Sequence, residues 1–177
     1  MTRIAAAVGS FDFAMTPASD PNLHLLRHSV AILAYRGGKT LRDAPADFAQ
    51  FKASPTTRTP AQILAHIGDL LDWALCHSQK GKHEWHNSKP LPWKREVKRF
   101  FAALKAFDSH LASDLPQECP PEKLFQGPIA DALTHIGQIA MLRRMAGSPI
   151  RGENYFGADI VEGRVGPEQA APGFEFD

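Results

Sequence analysis

Residues 128–147 have the sequence PIADALTHIGQIAMLRRMAG, and this stretch decides the fold. Its apolar residues recur at the 3.6-residue period of an α-helix, and Asp131 and His135 stand four positions apart on one face. That face continues mainly with apolar residues, so both polar side chains are predicted to point into the protein. Inside a protein they need a hydrogen-bond network or a metal ion. The further members of the face are Gln138, Ile139, Leu142 and Met145.

An earlier helix, predicted over residues 60–77, is expected to supply the other half of such a site. Thr59 and Gln62 match a capping box, with a proline at the first helical position, and this pattern sets where the helix begins. Apolar residues cover a wide arc of this helix, and His66 lies among them. We therefore expect His66 to face the acid and the imidazole of the later helix.

Two further helices and two irregular segments complete the predicted chain. The first helix covers residues 21–36, with Asp20 as its N-cap and a Gly-Gly pair at its end. The third helix covers residues 93–113, where large apolar residues keep a spacing of three and four. Residues 1–19 are predicted to form an irregular lead-in. A Pro-rich connection is predicted before the fourth helix.

The predicted fold is all-α, an up-down-type four-helix bundle with an irregular C-terminal tail. Residues 148–177 are rich in Gly and Pro but carry several large apolar side chains, so the tail is expected to wrap the bundle in extended form. We predict a single domain over residues 1–177, with the bundle at about 20–147.

Composition excludes several classes of function. The chain has 177 residues, 44% hydrophobic, and a formal net charge of +1, which gives no general attraction to nucleic acid or anionic membrane. No apolar run is long enough to span a membrane. Its two cysteines, Cys76 and Cys119, form no CxxC motif, which favours free thiols in a reducing compartment. We therefore expect a cytoplasmic protein with neither nucleic acid nor membrane as a partner.

The second and fourth helices each carry apolar residues over more than one face. A helix of this kind has two surfaces to bury, and a single bundle interior covers only one of them. The simplest partner for the remaining faces is a second copy of the chain. We therefore predict an isologous homodimer through helices two and four.

The motifs TPAQILAHIGDLLDW at residues 59–73 and ADALTHIGQIAMLRRMAG at residues 130–147 resemble those of the DinB-like four-helix bundle superfamily. This superfamily includes the damage-inducible DinB proteins, the mycothiol-dependent maleylpyruvate isomerases and the bacillithiol transferases. The resemblance covers most of the chain, from the first helix through the fourth. It implies a metal site with one histidine from helix two and two from helix four, spaced i, i+4 before a Gly-Gln pair.

Two of the ligand positions that the resemblance implies are histidines in this chain, and the third is a different residue. His66 matches the first histidine, and His135, just ahead of Gly137-Gln138, matches the last. Asp131 stands where the other histidine would be, so the implied ligand set is His66, Asp131 and His135 for a divalent ion such as Zn, Ni, Fe or Mn. Two imidazoles and one carboxylate occur at catalytic zinc and at non-haem iron. The alternative is a lapsed site in which Asp131 hydrogen-bonds His135 or His66.

The implied activity is a metal-dependent thiol transfer, isomerisation or hydrolysis on a small-molecule substrate, with a low-molecular-weight thiol as a further cofactor. The sequence assigns no catalytic residue, although Asp69, one turn after His66, is a candidate general base. Gln138 is a candidate for orienting His135. The alternative function is a non-catalytic dimeric bundle that binds a small ligand or a protein partner in the same cleft.

Overall fold

The computed structural model of the protein describes residues 20–81 and 85–176, and within them the fold is all-α, as predicted. The lead-in predicted for residues 1–19 lies outside the described residues. Within the described residues, no helix combines the length and the apolar character needed to cross a membrane. The helices are α1 (Pro21–Leu41), α2 (Pro60–Lys80), α3 (Trp93–Leu111), the short α4 (Pro121–Leu124) and α5 (Ala130–Met145). Minor elements are 3-10 turns at Phe48–Gln50 and Tyr155–Gly157 and the strands β1 (Gly152–Glu153) and β2 (Glu175–Phe176).

The start of α2 follows the predicted capping box. The Thr59 N–H donates to Gln62 Oε1 at 2.8 Å, and the Gln62 N–H donates to Thr59 Oγ1 at 3.2 Å. These two bonds satisfy backbone donors that the first turn of a helix otherwise leaves unpaired. The helix continues three residues beyond its predicted end and stops at Gly81, whose φ of 68° is the left-handed conformation of a C-cap.

The first helix does not stop at Gly37 and Gly38, as the sequence predicted, but continues to Leu41. A Cβ atom on Gly37 would lie 2.5 Å from Cζ of Phe100, which is fully buried on α3. The glycine therefore allows the α1 backbone to approach an aromatic ring closely. A Gly-Gly pair indicates a helix end only where no such partner exists.

The fourth predicted helix is longer and less regular than its periodicity suggested. The chain turns helical at Pro121, inside the predicted Pro-rich connection, and passes through a π-helical turn at Phe125–Ile129 before α5 begins at Ala130. Pro128 lies inside this turn. Because proline lacks an N–H and crowds the preceding turn, it interrupts the regular hydrogen-bond ladder between α4 and α5.

The long helices share one apolar core. α1 packs against α3 and α5, and α2 packs against the same two helices. The long connection 42–59 contributes the buried Phe48 to this core. α2 is covered on both of its apolar faces, because Leu70 and Leu71 are both buried within the protomer. The largest fully buried side chains are Tyr35, Phe48, Phe100, Phe107, Leu26, Leu33, Leu64, Ile67, Leu71, Leu104, Leu111 and Leu124.

The segment after α5 is tied to α1 by a buried charge network. The Glu153 carboxylate accepts from the Tyr35 hydroxyl at 2.6 Å and from Lys39 Nζ at 2.8 Å. Lys39 also pairs with Glu175 at 2.8 Å, and Glu153 and Glu175 face each other across the β1–β2 ladder. Together with Val165, which joins the apolar core, these contacts fix the segment on the helices.

Candidate metal centre

Three predicted ligands, His66 on α2 and Asp131 and His135 on α5, come together where these helices pack. One ligand atom from each lies within 4.8 Å of the others. His66 Nε2 is 3.5 Å from Asp131 Oδ2, and the centroids of the two imidazole rings are 4.7 Å apart. The meeting of the three side chains follows from the i, i+4 spacing on α5 and from the register of α2 against it.

A main-chain carbonyl of its own helix determines which ring nitrogen of His135 carries the hydrogen. Its Nδ1 atom lies 2.9 Å from the main-chain oxygen of Asp131 and 3.1 Å from the Asp131 Oδ1. A carbonyl oxygen only accepts, so Nδ1 carries the hydrogen and the lone pair of the neutral ring is on Nε2. A backbone carbonyl that holds the second nitrogen in this way is the usual support of a metal-binding histidine.

The three side chains are buried to different degrees. The side chain of His135 is 12% exposed, that of His66 is 21% exposed and that of Asp131 is 44% exposed. The prediction that the whole face points inward is therefore corrected. The buried stripe of α5 is centred on Ala132, Ile136 and Ile139. Asp131 lies at the border of this stripe, about 100° around the helix from Ala132.

Gln138 and Met145 lie on the same border as Asp131, and both are exposed. Gln138 therefore does not orient His135, and the role considered for it from the sequence is not supported by its position. The residues of that face that do enter the core are Ile139 and Leu142.

His66 sits in a partly apolar pocket against an indole ring. Its ring centroid is 5.4 Å from that of Trp85, in an edge-to-face arrangement. Burial lowers the pKa of His66, the nearby His135 and Arg58 lower it further, and the hydrogen bond and charge of Asp131 oppose this without reversing it. The imidazole is therefore neutral near pH 7, the state in which it can bind a metal.

A cleft of about 410 Å³ opens beside His66. One wall consists of Arg58, Gln62 and His66, from the start of α2 and the residues before it. The other wall is the loop segment 87–90. His66 thus belongs both to the ligand group and to the cleft wall. Nothing in the sequence signalled this cleft, because the loop that forms it has no periodicity.

Asp69 is a structural anchor for that loop and not a general base. Its carboxylate accepts from Arg99 Nη2 at 2.7 Å and from the Ser88 N–H at 2.8 Å, and the residue is 3% exposed. Burial raises the pKa of Asp69, but the hydrogen bonds from Arg99 and Ser88 outweigh it and hold the pKa below its usual range. A carboxylate in this state has little tendency to accept a proton.

The donor set fits a divalent cation. Two neutral imidazoles and one carboxylate are the ligand types of catalytic zinc sites, and ligand atoms around a tetrahedral zinc are about 3.4 Å apart. The His66–Asp131 distance of 3.5 Å already matches this spacing. Within the described residues, this is the one group of three or more His, Cys, Asp or Glu side chains close enough to hold an ion.

The fold and the site together define a helical protein with a candidate metal centre at a packed helix pair. Comparisons with protein-family models, with curated proteins and with solved structures found no match to this chain. The resemblance to the DinB-like superfamily therefore stays a prediction from two motifs.

Proposed function

We propose that this protein is a metal-dependent enzyme of the DinB-like type, which acts on a small molecule as a thiol transferase, an isomerase or a hydrolase. The observation that carries the proposal is the convergence of His66, Asp131 and His135, whose ligand atoms lie within 4.8 Å of one another. A low-molecular-weight thiol is the proposed co-substrate for the transfer and isomerisation reactions.

Each residue of the group has a distinct part in this proposal. His66 and His135 offer nitrogen ligands: burial lowers the pKa of the first and so favours its neutral form, and the Asp131 carbonyl orients the second. Asp131 offers a charged oxygen ligand at the solvent border. When bound, a divalent ion supplies Lewis acidity that lowers the pKa of a coordinating thiol or water. Trp85 shields one side of His66 from water.

A non-catalytic ligand-binding bundle is the second candidate, and the hydrogen bonding of His135 favours it. Its Nδ1 atom is satisfied by the Asp131 carbonyl without any ion, and Asp131 also lies near His66. These contacts satisfy part of the polar cluster, as expected for a site that has lost its metal.

Metal content separates the two candidates. The full chain, purified without added metal, is expected to contain close to one equivalent of a divalent ion by mass spectrometry of the elements. His66→Ala and His135→Ala should each lose the ion, whereas His77→Ala should keep it, because His77 lies farther along α2 against Trp73. Metal-free protein whose stability is unchanged in the first two variants supports the lapsed site.

Activity is tested with the metal-loaded chain and a thiol. Cysteine, mycothiol and bacillithiol are each supplied with 1-chloro-2,4-dinitrobenzene, whose chloride the thiol sulfur displaces while its proton goes to the buffer. Hydrolysis is tested separately with p-nitrophenyl acetate. A rate that depends on metal and is lost in His135→Ala supports the enzyme. If no rate exceeds that of His135→Ala with any of these reagents, the proposed thiol transfer and hydrolysis are rejected.

We also propose a homodimer. The sequence predicted it through helices two and four, and the contribution of helix two is not retained. Because both apolar faces of α2 are buried in the protomer, the exposed apolar side chains that support a dimer lie on α5 and the segment after it, among them Met141 (59% exposed), Met145 (55%) and Phe176 (56%). Light scattering after gel filtration is expected to give the mass of two chains, and Met141→Lys with Met145→Lys the mass of one. A single-chain mass for the wild type contradicts the dimer.

We propose that the helices form an up-down-type bundle in which α1 and α2 occupy diagonal corners. Residues 42–59 then cross between these corners, and the tail wraps the bundle. A cytoplasmic location is proposed as well, since Cys76 and Cys119 are free thiols.

A further inference from the structure

The cleft beside His66 carries a cation on each wall. Arg58 lies just before α2, and Lys89 lies on the opposite loop segment. Both side chains are exposed, and among the residues that the structure describes neither forms an ion pair. The cations Arg27, Lys39 and Arg99 are, by contrast, each paired with at least two acids.

Among the residues that the structure describes, the lining of the cleft is cationic and polar and contains no acid. Besides Arg58 and Lys89 it consists of Gln62, His66, Asn87, Ser88 and Pro90. Two like charges facing one open space create a positive potential there, and no carboxylate among the described lining residues cancels it. An anion in this space would approach both cations and the exposed amide of Asn87.

The loop segment 87–90 is held in place by hydrogen bonds to two buried carboxylates. The Ser88 N–H donates to the buried Asp69 carboxylate at 2.8 Å, and the Leu91 N–H donates to Glu96 Oε1, buried on α3, at 2.7 Å. Lys89 therefore lies between two anchored backbone positions. A wall fixed in this way does not have to be ordered when a ligand binds, which reduces the entropic cost of binding.

We propose that this cleft binds the anionic group, a carboxylate or a phosphate, of the small molecule on which the protein acts. The inference rests on the proposed function, because it places the reacting part of that molecule at the His66 ligand group. A divalent ion held by two neutral imidazoles and one carboxylate keeps one unbalanced positive charge, which adds to the attraction. Neutral and cationic small molecules are disfavoured by the same charges.

The test uses the full chain, both metal-free and loaded with zinc, and three probes of similar size: benzoate, phenyl phosphate and benzyl alcohol. Amide shifts of Ser88 and Lys89 and the indole shift of Trp85 are followed by NMR during titration. Benzoate and phenyl phosphate are expected to bind at least tenfold more tightly than benzyl alcohol. Whichever anion binds more tightly identifies the carboxylate or the phosphate as the natural group.

The variants separate this cleft from general surface charge. Arg58→Gln and Lys89→Gln are each expected to weaken benzoate binding about three- to tenfold, as for a partly exposed charge pair. Arg58→Lys should retain most of the affinity. Lys105→Gln, a matched change at an exposed residue of α3, should leave it unchanged.

The outcomes distinguish this inference from the proposed function. Equal binding of benzyl alcohol and benzoate, or unchanged binding in Arg58→Gln and Lys89→Gln, overturns the inference even if the protein holds one equivalent of metal. Charge-dependent anion binding in a chain that never takes up metal supports the cleft and overturns the metal-dependent function.

Discussion

The carboxylate of Asp131 on α5 lies 3.5 Å from Nε2 of His66 on α2, and it also lies 3.1 Å from Nδ1 of His135 on its own helix. One acidic side chain thus connects both imidazoles of the group. Its position at the solvent border, and not in the core, means that it can be replaced without opening a cavity.

Replacing Asp131 is expected to change metal affinity without unfolding the protein. Asp131→Ala removes one of three ligands and should weaken zinc binding at least tenfold, as measured by competition with a chromogenic chelator. Asp131→His, which provides a third imidazole at the same helix position, should restore it. Zinc binding by Asp131→Ala at the wild-type affinity would exclude the aspartate as a ligand.

Asp69→Asn is expected to destabilise the fold by about 2 kcal/mol at pH 7, because it leaves the Arg99 guanidinium without its buried partner. Urea unfolding measures this cost. Asp72→Asn is the matched control, since Asp72 also pairs with Arg99 but is 48% exposed, and its cost should be smaller. Equal costs for the two substitutions would contradict the role of Asp69 as the anchor.

The cost of Asp69→Asn should diminish in acid. The pKa of Asp69 in the folded protein lies below its ordinary value of 3.8. Its stabilising contribution is therefore fully present above pH 3.8 and is lost as the pH falls through the lower, folded-state pKa. Urea unfolding of the wild type and Asp69→Asn at pH 7 and at about pH 3 should show the difference between them shrinking. A difference that is constant or grows in acid would contradict this assignment.

Alanine substitutions at two glycines should change the stability of the protein in opposite directions. Gly37→Ala would place a methyl group 2.5 Å from Phe100 and should cost about 1–3 kcal/mol by overpacking. Gly137 is an exposed position of α5, and a Cβ added there meets no heavy atom within 4 Å. Gly137→Ala should therefore stabilise the helix by roughly 0.5–1 kcal/mol. Thermal unfolding of both variants measures the contrast. A stabilising Gly37→Ala would show that α1 and α3 are not packed as described.

The buried network around Lys39 should show strong coupling. Glu153→Leu leaves the Lys39 ammonium short of a partner and the Tyr35 hydroxyl without its acceptor, and should cost about 3 kcal/mol. Adding Lys39→Met to this variant removes the uncompensated charge and should recover part of the loss. The unfolding free energies of the wild type, the two single variants and the double variant form a double-mutant cycle. Strict additivity would contradict the buried pair.

Sequence periodicity predicted the four long helices and the helix faces on which His66, Asp131 and His135 lie, but not where the first helix ends or where the fourth begins. The capping box at Thr59 located the start of α2, and the i, i+4 spacing of Asp131 and His135 placed both on the side of α5 that meets His66. These features depend on contacts within one helix or on the period of a helix face. Local patterns of this kind are readable from residues that are near in sequence.

Other features depend on which residues meet across the fold, and these were not readable. Gly37 continues a helix because Phe100 packs on it, and Asp69 is neutralised by Arg99 from the next helix. The inward prediction for Gln138 failed because the angular width of a buried stripe is set by neighbouring helices. The cleft depends on a loop whose shape is held by single hydrogen bonds to Asp69 and Glu96.

The partial exposure of the Asp131 carboxylate also sets how fast an ion could be exchanged. An ion enclosed by core side chains leaves only when the helices separate, at the rate of local unfolding. Here one ligand already touches water, so a chelator such as EDTA could withdraw the ion while the helices stay packed. Occupancy would then follow the free metal concentration in the surroundings, so the metal content of the purified protein has to be measured in buffers that contain no chelator.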